Sequence, residues 1–143
     1  MNVYDYEMPD AERLVLLALR AAFPGVRCAV YLPTDWQKTL RQDGRLLIAR
    51  RVGGNERVPG HVDSGMFNVQ CYALTRRSAS EMARQARAAL RRSARDQFAG
   101  EDGHIQNFRE VTGPFMTTDP LTEAQPDFYR FTANYMIDTR PRR

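Results

Sequence analysis

The chain has 143 residues, 43% of them hydrophobic and 27% charged, a length and balance that suit one domain with a real core and argue against wholesale disorder. Twenty-one Lys and Arg against 17 Asp and Glu leave a net charge of +4, which permits an acidic partner without demanding one. No basic start leads into an apolar leader and no run approaches the ~18 apolar residues of a membrane span, so a soluble, unprocessed product without membrane contact is expected.

Residues 1–8 mix Tyr4 and Tyr6 with Asp5 and Glu7 without a period and read as an arm. Pro9 and Asp10 then mark a helix start, with Asp10 and Glu12 where the positive end of the helix dipole favours carboxylates. Leu14, Val15, Ala18, Ala21 and Ala22 form one stripe of that helix, and Leu16, Leu17 and Leu19 widen it beyond what one packing surface needs. Such a helix meets either the sheet plus another subunit or a deep seat in its own core. Pro24-Gly25 ends it.

Residues 26–31 read as a short strand closed by Pro33, and 34–43 as a turn or one short helical piece, with Trp36 as a local hydrophobic plug or an interface anchor. A second strand, 45–52, alternates Leu46, Ile48 and Val52 with Leu47, Ala49 and Arg51, so both of its faces are partly covered. Gly53-Gly54 is expected to end that strand, and Asn55, Glu56, Arg57, Pro59, Gly60, His61 and Asp63 to form a long polar loop running to Ser64.

From 65 to 74 Phe67, Val69, Cys71 and Ala73 alternate with Met66, Asn68, Gln70 and Tyr72, the pattern of a half-buried antiparallel strand. Ser78 and Glu81 have the spacing of a capping box and place a helix start there. Ala79, Met82, Ala83, Ala86, Ala89, Leu90 and Phe98 follow at three- and four-residue steps, with Arg84, Arg87, Arg91 and Arg95 largely opposite. A fourth strand, 104–112, stops at Gly113-Pro114, and 115–127 reads as an exposed connection. The last strand, 128–139, carries Tyr129, Phe131, Ala133, Tyr135 and Ile137 on one side throughout, which requires a central or well-paired position. Residues 140–143 read as a basic tail.

Together these elements predict a single α+β domain over 1–143, with an antiparallel or mixed sheet of about five strands and two helices on one face, in the order α-β-β-β-α-β-β. Chemistry is absent from the pattern. No glycine-rich turn joins a strand to a helix, so neither a dinucleotide nor a phosphate-loop site is expected. His61 and His104 lack a ligand partner at helical spacing, Cys28 and Cys71 read as reduced core thiols, and His61, Asp63 and Ser64 are explained by loop polarity. No catalytic, cofactor or metal residue is assigned.

The arginines of the second helix admit two readings. One is nucleic-acid binding, as in a double-stranded RNA domain, although that module ends with its second helix and here a strand follows. The other is a solvated or subunit-facing helix side, the favoured form being pairing with carboxylates across a subunit seam, for which guanidinium suits better than the single Lys38 would.

The strand end "RVGG" at 51–54, the run "VQCYALTRRSASEMARQARAAL" at 69–90, "GPF" at 113–115 and "FYRFTANYMIDTRP" at 128–141 resemble tail terminator proteins of long-tailed phages, especially those infecting actinobacteria. The resemblance covers nearly the whole chain apart from the arm and the Trp36 segment. It implies a non-enzymatic virion protein at the tail–neck junction, assembled in the host cytoplasm. Such subunits form a homo-hexameric ring that caps the tail tube, contacts the tube protein and the head-completion protein, and lets the genome pass through its lumen. Another neck or tail-completion subunit is the nearest alternative, and a small RNA- or DNA-binding domain the more distant one. The surfaces expected at the contacts are the loop residues Gly53, Gly54, Asn55, Glu56, Arg57 and His61, and the helix residues Arg84, Arg87, Arg91 and Arg95.

Overall fold

A computed structural model describes residues 7–117 and 128–142. Helix α1 (Ala11–Ala22) opens where the Asp10 side chain accepts the Arg13 backbone N–H at 3.2 Å, which satisfies one of the otherwise unpaired donors of the first turn. After it come β1 (Arg27–Ala29), α2 (Trp36–Asp43), β2 (Arg45–Val58), β3 (Val62–Ala73), α3 (Arg76–Arg95), β4 (Gly103–Thr117) and β5 (Tyr129–Pro141). The five strands form one sheet in the order β1-β2-β3-β5-β4. Only β1 with β2 is parallel, the other neighbours being antiparallel, so the α+β class and the mixed sheet are as expected.

Strand β5 lies between β3 and β4, where its unbroken apolar alternation is covered and its backbone paired on both sides. Its Phe131, Ala133, Tyr135 and Ile137 join Phe67, Val69 and Cys71 of β3 and Leu47 and Ala49 of β2 in the main core, closed by α1 and α3 through Leu14, Leu19, Met82 and Leu90. Of the leucine-rich first helix, Leu16 and Leu19 are buried within the subunit, while Leu17 is half-buried and Ala21 and Ala22 are exposed. Cys28 and Cys71 are free and buried on the same side of the sheet, as expected of core thiols.

The number and order of helices differ from the expected pattern. The Trp36 segment is a full helix, α2, ended by Gly44 in the left-handed conformation at φ 78°. It packs on the opposite face of the sheet from α1 and α3. Leu40 meets Leu46, Ile48 and Tyr72 there, with Trp36 and Phe128 beside them in a second, smaller core. Trp36 is therefore a plug: its ring lies 5.0 Å from that of Phe128, edge-on, and 5.8 Å from that of Tyr72. Eight residues were too few to give a helical stripe that outweighed their polarity.

Three boundaries also move. The second long helix starts at Arg76, capped by the Thr75 hydroxyl, which accepts the Ser78 N–H at 3.1 Å, and Glu81 instead pairs with Arg77 one turn back. Strand β4 runs through Gly113-Pro114, which an edge strand tolerates because no neighbour needs the missing N–H, and its pairing with β5 shifts register there. Strand β5 continues to Pro141, into the stretch expected to be a tail. Most of the expected N-terminal arm and of the 115–127 connection lies outside the described residues.

Candidate assembly surfaces

The expected loop from Gly53 to Ser64 is the outer half of a β-hairpin. Strand β2 continues through Gly53↔Met66, Gly54↔Gly65 and Asn55↔Ser64 to Val58↔Val62, with irregularities between Arg51 and Gly53 and between Glu56 and Val58. The first irregularity is a bulge at Val52–Gly53, the two residues opposite Met66, and Gly54 carries the ladder on beyond it. Gly54 sits at φ +103°, and a Cβ placed on it would come within 2.0 Å of the Ser64 carbonyl oxygen, so the close approach of the two strands excludes any side chain. His61 lies in the turn, its N–H donating to the Val58 carbonyl at 2.9 Å, and the Gly60 N–H donates to the Glu56 carboxylate at 3.1 Å.

Two buried carboxylates hold the hairpin to the sheet, one on each face. On the α1/α3 side Asp63 accepts from both terminal nitrogens of Arg51, at 2.5 and 2.8 Å, and this pairing is the main reason the Arg51 guanidinium is held above its ordinary pKa. On the other side Asp138 accepts from the Ser64 hydroxyl and from Arg57 at 3.1 Å. The hairpin is thus a braced extension of the sheet rather than a loop hinged at its glycines. From the sequence Asp63 reads only as part of a polar loop and Asp138 carries no signal, because their partners lie 12 and 81 residues away or in a strand read as loop.

The arginines of α3 are largely engaged within the chain. Arg87 donates to Glu110 of β4 at 3.0 Å, Arg91 lies over the Phe108 ring at 5.9 Å, Arg95 pairs with its neighbour Asp96 at 2.9 Å, and Arg84 reaches only the Ser80 carbonyl. The Asp96 carboxyl is in turn held below its ordinary range by the Arg95 hydrogen bonds. The helix and the hairpin, the two groups of expected contact residues, lie in separate parts of the subunit.

Free edges complete the picture. β1 covers only Leu46–Ile48 of β2, so the rest of that strand's outer side has no strand beside it among the described residues, and neither has the outer side of β4. Each edge exposes large apolar side chains, Val52 and Val58 on β2, Val111 and Phe115 on β4. A shallow groove of about 380 Å³ between α1 and α3, lined by Ala18, Ala22 and Ala89 with Arg92, is open to solvent and builds no enclosed site. Among the described residues no three His, Cys, Asp or Glu converge as metal ligands, and no helix is long and apolar enough to cross a membrane. Burial pushes the Cys28 thiol up to about 11 and raises that of Cys71 further, so neither is a ready nucleophile.

A family model described as phage tail termination protein matches residues 7–140. The chain belongs to that family. The match runs through all three helices and every strand, so membership rests on nearly the whole chain rather than on one motif. It makes the protein a structural component of a phage virion, acting in tail completion alongside other tail and head–tail proteins. No curated protein matches the chain.

Proposed function

We propose that copies of this chain close into a ring on the end of the finished tail tube, at the neck of the virion, and present the surface that receives the head. The observation that carries this reading is the pair of unlike free edges on one sheet: β2 beyond Ile48 at one side and β4 at the other, each with exposed apolar side chains. Contacts of one patch with a different patch on the next copy generate a ring when the rotation closes. The hexameric count comes from the family resemblance, as do the tail tube protein and the head-completion protein as neighbours and the genome as what passes through the lumen.

Within the ring, the braced hairpin (Gly53, Gly54, Asn55, Glu56, Arg57 and His61) and the outer side of α3 (Arg84, Arg87, Arg91 and Arg95) are the surfaces assigned to neighbours or to the tube. Arg84 is the freest of these guanidiniums; Arg87, Arg91 and Arg95 would have to share or exchange their present partners.

The test is made on virions. Labelled protein should be found at the tail–neck junction, and particles made with Arg84→Glu and Arg91→Glu together should fail to join heads to tails. Normal joining would remove α3 from the interface, and absence of the protein from the neck would overturn the reading.

A further inference from the structure

The two faces of the sheet differ in charge. Residues directly opposite one another share a face, so Tyr72↔Arg130, Met66↔Met136, Arg109↔Met136 and His104↔Arg140 place Arg109, Arg130 and Arg140 on the side away from α1 and α3, and Arg50↔Asn68 adds Arg50. The only carboxylate that the described strands place on this face is Asp138, and it is buried and already bonded to Arg57 and Ser64. On the other face the signs are mixed: Arg51 pairs with Asp63, Glu110 with Arg87 of α3, and the strands add Arg45 and Glu56, one of each sign.

Between the arginines the floor is neutral and self-satisfied. The Tyr72 hydroxyl donates to Gln70 at 2.8 Å, the Gln70 amide to Asn68 at 2.9 Å, and the Asn68 amide to Thr132 and Asn134 at 3.0 and 3.1 Å. The side chains left to meet a partner are the guanidiniums. Among the described residues no side-chain hydrogen bond or ion pair engages Arg50, Arg109 or Arg140, whereas Arg130 is held by Thr117 at 2.8 Å and lies over the Tyr72 ring. α2 covers only the end of this face near Leu46 and Ile48.

We propose that this open sheet face is a sequence-independent contact for the phosphate backbone of double-stranded DNA. Arg50 and Arg109 stand three strands and one two-residue step apart, about 15 Å from the strand spacing and rise, a separation on the scale of a DNA groove. Guanidiniums on a flat, otherwise self-bonded floor supply charge and no base readout. Single strands fit less well, since they need free rings for stacking, and Tyr72 is packed against Trp36 and Phe128, leaving Phe115 at the edge as the exposed ring that the described strands place on this face. The surface differs from the α3 arginines considered from the sequence. It also goes beyond the tail-closing reading, which requires no nucleic-acid contact by this chain, so either can fail alone.

The experiment measures fluorescence anisotropy of a labelled random-sequence duplex with the full-length protein as salt is raised from about 50 to 200 mM. Weak binding is expected, with a log–log salt slope of about −3, the value for three or four phosphate contacts. Arg109→Gln with Arg140→Gln should make the slope shallower by about two units, as each neutralised contact removes about one, while Arg84→Gln with Arg92→Gln should leave it unchanged. Protection of Arg109 and Arg140 from phenylglyoxal by the duplex in the unmodified protein gives the same answer should a variant fold poorly. No binding at the lowest salt, loss of slope only in the α3 variant, or equal competition by a poly-glutamate chain would overturn the proposal.

Discussion

Arg51 grips Asp63 with both ends of its guanidinium while its own backbone N–H donates to Glu12 at 2.9 Å, so one residue ties the hairpin, the bulge and the first turn of α1 together. Asp63 is buried, and hydrogen bonds to a charged partner contribute about 1.5–3 kcal/mol each way of breaking them. Asp63→Asn should therefore lower unfolding stability by about 2 kcal/mol, read from the urea midpoint. An unchanged midpoint would mean that the hairpin is held by its ladder alone.

Two glycines with positive φ should respond differently to the same change. At Gly44 (φ +78°) an added Cβ meets nothing within 4 Å, so Gly44→Ala should cost about 1–2 kcal/mol, the penalty of a left-handed alanine. At Gly54 (φ +103°) the same Cβ collides with backbone of β3, and the strands must part to accept it. Gly54→Ala should cost more than Gly44→Ala in thermal unfolding and loosen amide protection from Asn55 to Ser64, and equal costs would count against the close approach of the two strands.

The two cores are predicted to be separable by the fluorescence of the single tryptophan. Phe128→Ala removes the ring edge-on to Trp36 and should red-shift the native emission while lowering stability by about 2–3 kcal/mol, less than a fully buried aromatic would. Leu90→Ala, on the far side of the sheet, should cost roughly 2–5 kcal/mol and leave the native emission in place. A shift with Leu90→Ala would show that the sheet transmits the defect.

Alkali provides a fourth handle. The buried Cys28 thiol is raised from 9.0 to about 11 by desolvation, so below pH 9 it is protonated folded or unfolded and its contribution is fully present. Between pH 9 and 11 the unfolded chain releases a proton that the folded chain keeps, and stability falls by about 1.4 kcal/mol per pH unit from this group. Cys71 acts in the same direction. Melting temperatures recorded from pH 8 upward should drop in this window, and the drop should be shallower with Cys28→Ala and Cys71→Ala combined.

The strands with one continuous apolar side were readable because burial is enforced residue by residue, as in Phe67–Cys71 and Phe131–Ile137. Misreadings occurred where a local signal has two structural uses. Gly53-Gly54 can stop a strand or bulge it, Gly113-Pro114 can end a strand or sit on its edge, and Ser78 lies three residues after the true cap, Thr75. A short helix at Trp36 is one of the two readings its residues allow, but its seat depends on Tyr72 and Phe128, which approach it from distant parts of the chain. Arginine positions were plain in the sequence but their partners were not, since Glu110 is 23 residues from Arg87 and Asp138 is 81 from Arg57.

Glu12 has a further effect at the margin of the sheet. By accepting the Arg51 N–H it occupies a donor on the stretch of β2 beyond the cover of β1, so an incoming strand finds one rung of that ladder already taken. The carboxylate guards the margin against indiscriminate strand addition in a crowded cell. A neighbour that docks in a fixed orientation through side chains is not impeded by it.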